Sequence, residues 1–145
     1  MRNLKLFLII LLSSSWTFAS NEDSELIVGT WFTDDKASKI QIYKVQNQYF
    51  GKVVWLKNPL VNGKAVTDSK NPDSKLRSRS VLGLTIFNNF IFEGNNTWTD
   101  GEIYDVRTGR TVAGKMSLKN KNTLDLRGYI GKPIFGKTVT LYRAE

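Results

Sequence analysis

The chain has no cysteine and no histidine among its 145 residues. Disulfide staples, thiol nucleophiles, imidazole bases and imidazole zinc sites are therefore all excluded. Proline is scarce, with three in the whole chain, and no glycine-rich loop has the spacing that cradles phosphate. Helical periodicity is missing too: no stretch long enough for a stable helix repeats its apolar residues every 3.6 positions. What chemistry is left rests on carboxylates, lysine and tyrosine. A domain without cysteine must stand on its hydrophobic core alone, and its absence from an exported chain points to a bacterial source.

The one long apolar run is Leu6 to Leu12, preceded by Arg2 and Lys5 and followed by Ser13, Ser14, Ser15 and Thr17-Phe18-Ala19. This order of positive, apolar and small residues predicts a signal peptide over residues 1–19, cleaved after about Ala19. The run falls well short of the roughly 20 residues a membrane-spanning helix requires. Residues 20–145 are then expected to form one β-barrel domain, periplasmic or secreted, with no transmembrane span after processing. The net charge of +8 falls by two once Arg2 and Lys5 are removed. Lys and Arg are scattered from Lys36 to Arg143 rather than gathered on one face with exposed aromatics, which argues against nucleic acid as a partner. Anionic envelope surfaces suit such a charge better.

From Gly29 onward the sequence reads as strand after strand. Lys39 to Tyr43 alternates with period two, Tyr49 to Leu56 is rich in aromatic and β-branched residues, and Val81 to Phe87 resumes the pattern before turn signals at Asn88-Asn89 and Gly94-Asn95-Asn96. Trp98 to Tyr104, Thr111 to Leu118, Leu124 to Ile130 and Lys137 to Arg143 follow, and the acidic lead Asn21 to Glu25 suits a helical turn. Eight or so short strands with tight turns predict an all-β, antiparallel, up-and-down barrel. One segment breaks the rhythm. Lys57 to about Ser80 is polar, basic and proline-broken, and a long excursion of this kind in a small domain is where function concentrates.

Several constellations carry chemistry. Asp100 and Glu102, two apart on a strand, share a face and suggest a carboxylate-based hydrolase; solvated strand acids give the same pattern. Asp68, Asn71 and Asp73 supply oxygens suited to calcium, without the glycine turn and closing glutamate of a calcium loop. Arg77 and Arg79 would face the same way in an extended segment and form a clamp for carboxylate or phosphate; alternatively they pair with Asp68 or Asp73. Gly29-Thr30-Trp31 near the start and Arg143 at the end resemble the pattern of lipocalin-like barrels, which implies an arginine stacked on a tryptophan that plugs one end, worth about 1–2 kcal/mol when desolvated.

The chain resembles an uncharacterised family of exported bacterial proteins, a domain of unknown function regarded as lipocalin-like. The matching pieces are Gly29-x-Trp31, Gly51-Lys52-Val53-Val54-Trp55-Leu56, Asp68-x-x-Asn71-Pro72, Leu76-Arg77-x-Arg79-x-x-x-Gly83, Gly101-x-Ile103-Tyr104-Asp105 and Leu126-Arg127-Gly128-Tyr129-Ile130-Gly131. Val106 stands where the family has proline, Val112 where a tyrosine is usual and Tyr142 where a tryptophan is usual. The resemblance implies a calycin-like barrel and an exported location. It implies no activity.

The leading functional reading is a non-enzymatic binding protein that holds a small amphipathic or lipid-like ligand, needing no cofactor and no metal. Eight Phe, five Tyr and four Trp are enough to line a barrel pocket and equally enough to fill it. If the interior is open, Trp98 and Tyr104 share one wall and Arg127 and Tyr129 another; if Leu124, Leu126 and Ile130 point inward instead, Arg127 and Tyr129 lie outside. The alternative is a protein-interaction or inhibitor barrel that docks on an acidic envelope protein through Lys70, Lys75, Arg77 and Arg79. Intact mass of the exported form tests the leader: it should begin near Ser20, and a membrane-bound species that keeps Leu6 to Leu12 would contradict this.

Overall fold

The computed structural model describes residues 21–144; the leader expected over residues 1–19 lies outside them. A single turn of helix, α1 (Asn21–Ser24), precedes ten strands: β1 (Gly29–Phe32), β2 (Ser38–Val45), β3 (Gln48–Leu56), β4 (Leu60–Val61), β5 (Lys64–Ala65), β6 (Thr85–Gly94), β7 (Thr97–Asp105), β8 (Arg110–Asn120), β9 (Thr123–Tyr129) and β10 (Lys137–Arg143). Eight of them close an antiparallel barrel in the order β1-β10-β9-β8-β7-β6-β3-β2, and β4 and β5 form a separate two-stranded ribbon. Closure joins the chain's ends through Trp31 opposite Arg143. The up-and-down barrel predicted from strand spacing is the fold.

Because all neighbours are antiparallel, the connections alternate between two ends. The mouth carries the turn at 33–37, the excursion at 57–84, the turn after Asp105 and the loop at 130–136. The base carries α1, the short turns between β2 and β3, β6 and β7, and β8 and β9, and the end of β10.

The base is sealed. Trp31 is fully buried, donates from Nε1 to the Ile27 carbonyl (2.8 Å), and carries the Arg143 guanidinium 4.1 Å from its ring centre. Arg143 also donates to the carbonyls of Leu26 (2.5 Å), Lys121 (2.7 Å) and Val28 (3.2 Å), tying the segment after α1 and the β8–β9 turn to the end of β10. These are carbonyls that no strand pairs, and a guanidinium satisfies several at once.

Above this plug the barrel is filled. Ile40, Ile42, Tyr49, Trp98, Met116, Leu118, Leu124, Leu126 and Leu141 form one buried cluster, extended toward the mouth by Phe87 and Phe90, whose rings meet edge to face at 6.4 Å. Each such side chain contributes roughly 1.5–3 kcal/mol by leaving water. The phenylalanine rings are seated on glycines: a methyl group added to Gly51 would strike Phe87, and one added to Gly101 or Gly114 would strike Phe90. Of the two readings of the aromatic content, the described side chains take the filled one.

Two features of β6 and β7 differ from the sequence expectation. Asn88-Asn89 lies inside β6 rather than in a turn, and Asn89 takes φ +60°, while Asp100 in β7 takes φ +59°. Pairing with β8 slips by one residue between Trp98 and Gly101. Asn and Asp tolerate the left-handed region, so a bulge and a turn leave the same mark in a sequence. Val81 to Leu84 is likewise the end of the excursion, and the strand begins at Thr85. Gly101→Ala should destabilise the protein by about 1–3 kcal/mol through overpacking, with Phe90→Leu in the same chain recovering part of the loss in urea unfolding. A neutral Gly101→Ala would mean that the interior has room to spare.

Candidate functional site

The excursion between β3 and β6 is an ordered structure that folds back along the barrel. Its two limbs join through the Thr67–Ser80 bridge, with the Asp68 amide donating to the Arg79 carbonyl (2.9 Å) and the Val81 amide to the Val66 carbonyl (3.0 Å). The returning limb is sewn to β3 by the Gly83 amide on the Val53 carbonyl (2.7 Å) and the Val53 amide on the Leu84 carbonyl (2.9 Å). Between the limbs, Asp73 caps a 3-10 turn (Ser74–Leu76) by accepting from the Lys75 amide. The tip rests on the β7–β8 turn, where Gly109 (φ +73°) comes so close to the Lys70 carbonyl that no Cβ would fit. Only glycine meets both demands.

Asp68 holds this arrangement to the barrel. Its side chain is fully buried and accepts from three donors: the Tyr104 hydroxyl (2.5 Å), Asn71 Nδ2 (2.8 Å) and Arg79 Nε (2.9 Å), with Arg79 Nη2 also at 2.9 Å. Burial pushes its carboxyl up, but Tyr104, Asn71 and Arg79 together outweigh that and hold it below the usual carboxylate range. Burial, reinforced by the Asp68 charge, raises the Tyr104 hydroxyl above its ordinary value. The Arg79 guanidinium lies 5.9 Å from the Tyr104 ring centre. Asn71 relays the order outward, its Oδ1 accepting from the Asp73 amide (2.8 Å) while its carbonyl accepts from Arg77 Nε (2.8 Å).

Gly101 and Ile103 pack inward, so Glu102 and Tyr104, which alternate with them, line the outer wall of β7. Between this wall and the excursion opens a cleft of about 550 Å³, within the range of small-molecule sites. Its polar lining combines the Arg79 cation and the Glu102 carboxylate with Asn71, Asn88, Thr85 and Thr111. Tyr104 forms part of the floor, and Pro72 and Leu84 give it apolar edges. Such a set binds an anionic group at one point and hydroxyls or an amine at others.

The candidate residues separate into three groups. Asp68, Asn71, Arg79 and Tyr104 come together at the cleft. Arg77 does not join Arg79 in a clamp: the segment is not extended there, Arg77 taking helical dihedrals after the 3-10 turn and spending its guanidinium on the Asn71 and Pro72 carbonyls. Trp98 and Tyr104 do not share a face, because the bulge at Asp100 turns one inward and the other outward. Trp98 sits in the core against Tyr49 and Phe92, its Nε1 without a hydrogen-bond partner among the described residues. Arg127 and Tyr129 lie outside the barrel, since Leu124 and Leu126 take the interior; Ile130 is exposed rather than inward. Arg127 holds the loop at 130–136 through the Pro133 carbonyl (2.6 Å), the Thr138 hydroxyl (2.8 Å) and the Ile134 carbonyl (3.3 Å). Asp100 and Glu102 are both exposed, and of the two only Glu102 lines the cleft. The oxygens suggested for calcium are already occupied: those of Asp68 by its three donors, Asn71 Oδ1 by the Asp73 amide and Asp73 Oδ1 by the Lys75 amide. Thr85, Asn88 and Thr111 were not singled out by the sequence, where isolated polar residues on an outer strand face look merely solvated.

The sequence profile of a family described as "uncharacterized protein conserved in bacteria (DUF2147)" matches residues 29–143. Among solved structures, protein HP1028 from Helicobacter pylori, described as belonging to the lipocalin family, superposes with a TM-score of 0.72 at 22% identity, over 82% of this chain and 83% of that one. This likeness supports the barrel fold alone. A redesigned β-barrel aligns over 85% of this chain and 96% of its own at 16% identity, with a TM-score of 0.47. No curated protein sequence matches.

Asp68→Asn should lower the free energy of unfolding at neutral pH by about 2–4 kcal/mol, because an amide at that position sets a donor against Arg79 and Asn71. Asp68 has a depressed folded value, so its contribution is complete above the ordinary carboxyl value of about 4 and fades as pH falls through the folded value. The gap between wild type and variant should therefore be constant near neutrality and close on acidification. A gap that persists unchanged into strong acid would contradict the assignment.

Proposed function

The chain belongs to this uncharacterised bacterial family, and we propose that it is an exported, non-enzymatic binding protein whose ligand sits against the barrel wall. The observation that carries this reading is the cleft: it gathers a guanidinium, a carboxylate, two amides and three hydroxyl groups beneath an excursion built by internal bonds. The ligand that fits is a small anionic sugar, with its carboxylate or phosphate on the exposed edge of Arg79 and its hydroxyls on Glu102, Asn88, Thr85 and Thr111. An amphipathic or lipid-like ligand was expected in the interior; the packing of Phe87, Phe90 and the cluster beneath them supports the outer face instead. Export rests on the leader sequence, and the periplasm or the medium is where such a sugar would be met.

Catalysis has less to work with. A glycoside hydrolase needs two opposed carboxyl groups free to face the scissile bond; Asp68 is locked by three donors and Glu102 stands as the other acid of the cleft. Docking on an acidic protein through the excursion is the second reading, and it is favoured by the exposure of Lys70 and Lys75 at the tip. It loses Arg77, whose guanidinium is spent on the Asn71 and Pro72 carbonyls.

Amide chemical shifts decide between these readings. Titration with hexuronic acids and hexose phosphates should move resonances of Thr85, Asn88, Glu102 and Thr111. Glu102→Ala and Asn88→Ala, both on the outer wall, should each weaken the response about tenfold, on the order of 1.4 kcal/mol, without changing the melting temperature. Shifts confined to interior residues such as Met116 and Leu126 would return the ligand to the barrel, and no shift with any of these sugars would remove the cleft as a sugar site.

A further inference from the structure

We propose that the mouth of the barrel docks on an anionic phospholipid bilayer through two apolar tips, independently of the cleft. The first tip is the loop at 130–136. Ile130, Ile134 and Phe135 are 73%, 76% and 77% exposed, and the 3-10 turn that carries the last two (Pro133–Phe135) buries no residue. A short loop ordinarily collapses such side chains onto its own domain. Here Arg127 prevents that by holding the Pro133 and Ile134 carbonyls and the Thr138 hydroxyl, while Gly136 passes so close to the Gly128 carbonyl and Tyr129 Cβ that an added side chain would collide with them. The apolar side chains are thus presented to solvent by a built scaffold, and exposed apolar groups of this kind mark contact surfaces.

The second tip is the β4–β5 ribbon, where Leu60 and Val61 are 57% and 60% exposed. In the cyclic order of strands, the β9–β10 connection and the β3–β6 connection are four places apart in a ring of eight. The two tips therefore leave the same end of the barrel on opposite sides, placing two apolar feet around the mouth.

Charge selects the partner. Lys57 and Lys64 flank the ribbon tip, and Lys132 and Lys137 flank the loop tip; no acidic residue occurs from Lys57 to Thr67 or from Leu126 to Ala144. The acids of the mouth are Asp34, Asp35, Asp68, Asp73 and Asp105. Asp68 is neutralised by Arg79 and Asp105 by Arg107, and Arg107 also feels Asp34 and Asp35. A second copy of the chain is a poorer occupant, because a two-fold contact would bring these lysines against one another. Apolar tips ringed by lysine are what an anionic lipid surface takes: the side chains enter the headgroup boundary while the ammonium groups meet phosphates. Among the described residues no helix is long and apolar enough to cross a membrane, so the contact is with the surface.

The test is co-sedimentation with vesicles, using the chain that begins at Ser20. Among the described residues the buried apolar side chains lie between Ile27 and Leu141, and the barrel closes within residues 29–143, so this form keeps the core and the closed barrel. The protein should pellet with phosphatidylcholine vesicles containing phosphatidylglycerol, and not with phosphatidylcholine alone. Retention should fall as salt shortens the screening length from about 10 Å to about 3 Å. I134S/F135S, at exposed positions and with unchanged melting, should reduce the bound-to-free ratio about tenfold, and L60S/V61S should do so separately; K132Q/K137Q should weaken binding to the anionic vesicles. Undiminished pelleting of both serine pairs would overturn the proposal, as would equal binding to neutral vesicles. So would a dimer in sedimentation velocity that I134S/F135S dissociates while neither form pellets.

Discussion

The buried carboxylate of Asp68 is the interaction on which the rest of the site depends. A carboxylate out of water is costly unless each lone pair finds a donor and an opposite charge stands close. Here the donors come from three separate places: Tyr104 on the barrel wall, Asn71 in the loop that follows, and Arg79 on the returning limb of the excursion. Satisfying one anion therefore fixes the position of the whole excursion on β7. The order continues through Asn71 to Asp73 and from there to the capped turn, so a polar segment without an apolar core of its own holds a single shape. Remove the anion and the wall of the cleft keeps its backbone bonds to β3 but loses its tie to β7.

The barrel makes this division of labour necessary. Its base is closed by Arg143 over Trp31, and its interior is occupied by rings seated on glycines that have no room for even a methyl group. Stability comes from the inside and recognition is left to the mouth and the outer wall. The exposed polar face of β6, β7 and β8 would ordinarily be solvent-facing surface. Covered on one side by the excursion, it becomes concave, and its side chains converge.

Much of this was legible in the sequence, for physical reasons that differ from element to element. The period-two alternation of Lys39 to Tyr43 and of Leu124 to Tyr129 reports directly which residues face inward, and the strands and the barrel follow from it. Asp68, Asn71, Arg79 and Tyr104 stood out because a polar, proline-broken stretch is conspicuous among strands. What alternation could not convey is a change of phase. One residue in the left-handed region at Asp100 reverses the facing of everything after it, which parts Trp98 from Tyr104. Arg77 and Arg79 look equivalent in sequence, yet a 3-10 turn sends one to backbone carbonyls and the other to the buried anion. Asn88, Thr85 and Thr111 carry no local signal at all, since their role comes from a segment that folds over them.

The central claim is that one buried hydrogen-bonded anion docks the excursion onto an otherwise self-sufficient barrel, and amide hydrogen exchange of Tyr104→Phe tests it most directly. That variant keeps the ring and deletes the single donor that the barrel contributes. The account predicts that the amides of Asp68, Asn71 and Val81 lose protection while those of Ile42, Met116 and Leu126 keep theirs. Unchanged protection throughout, or an equal loss in excursion and barrel, would contradict it.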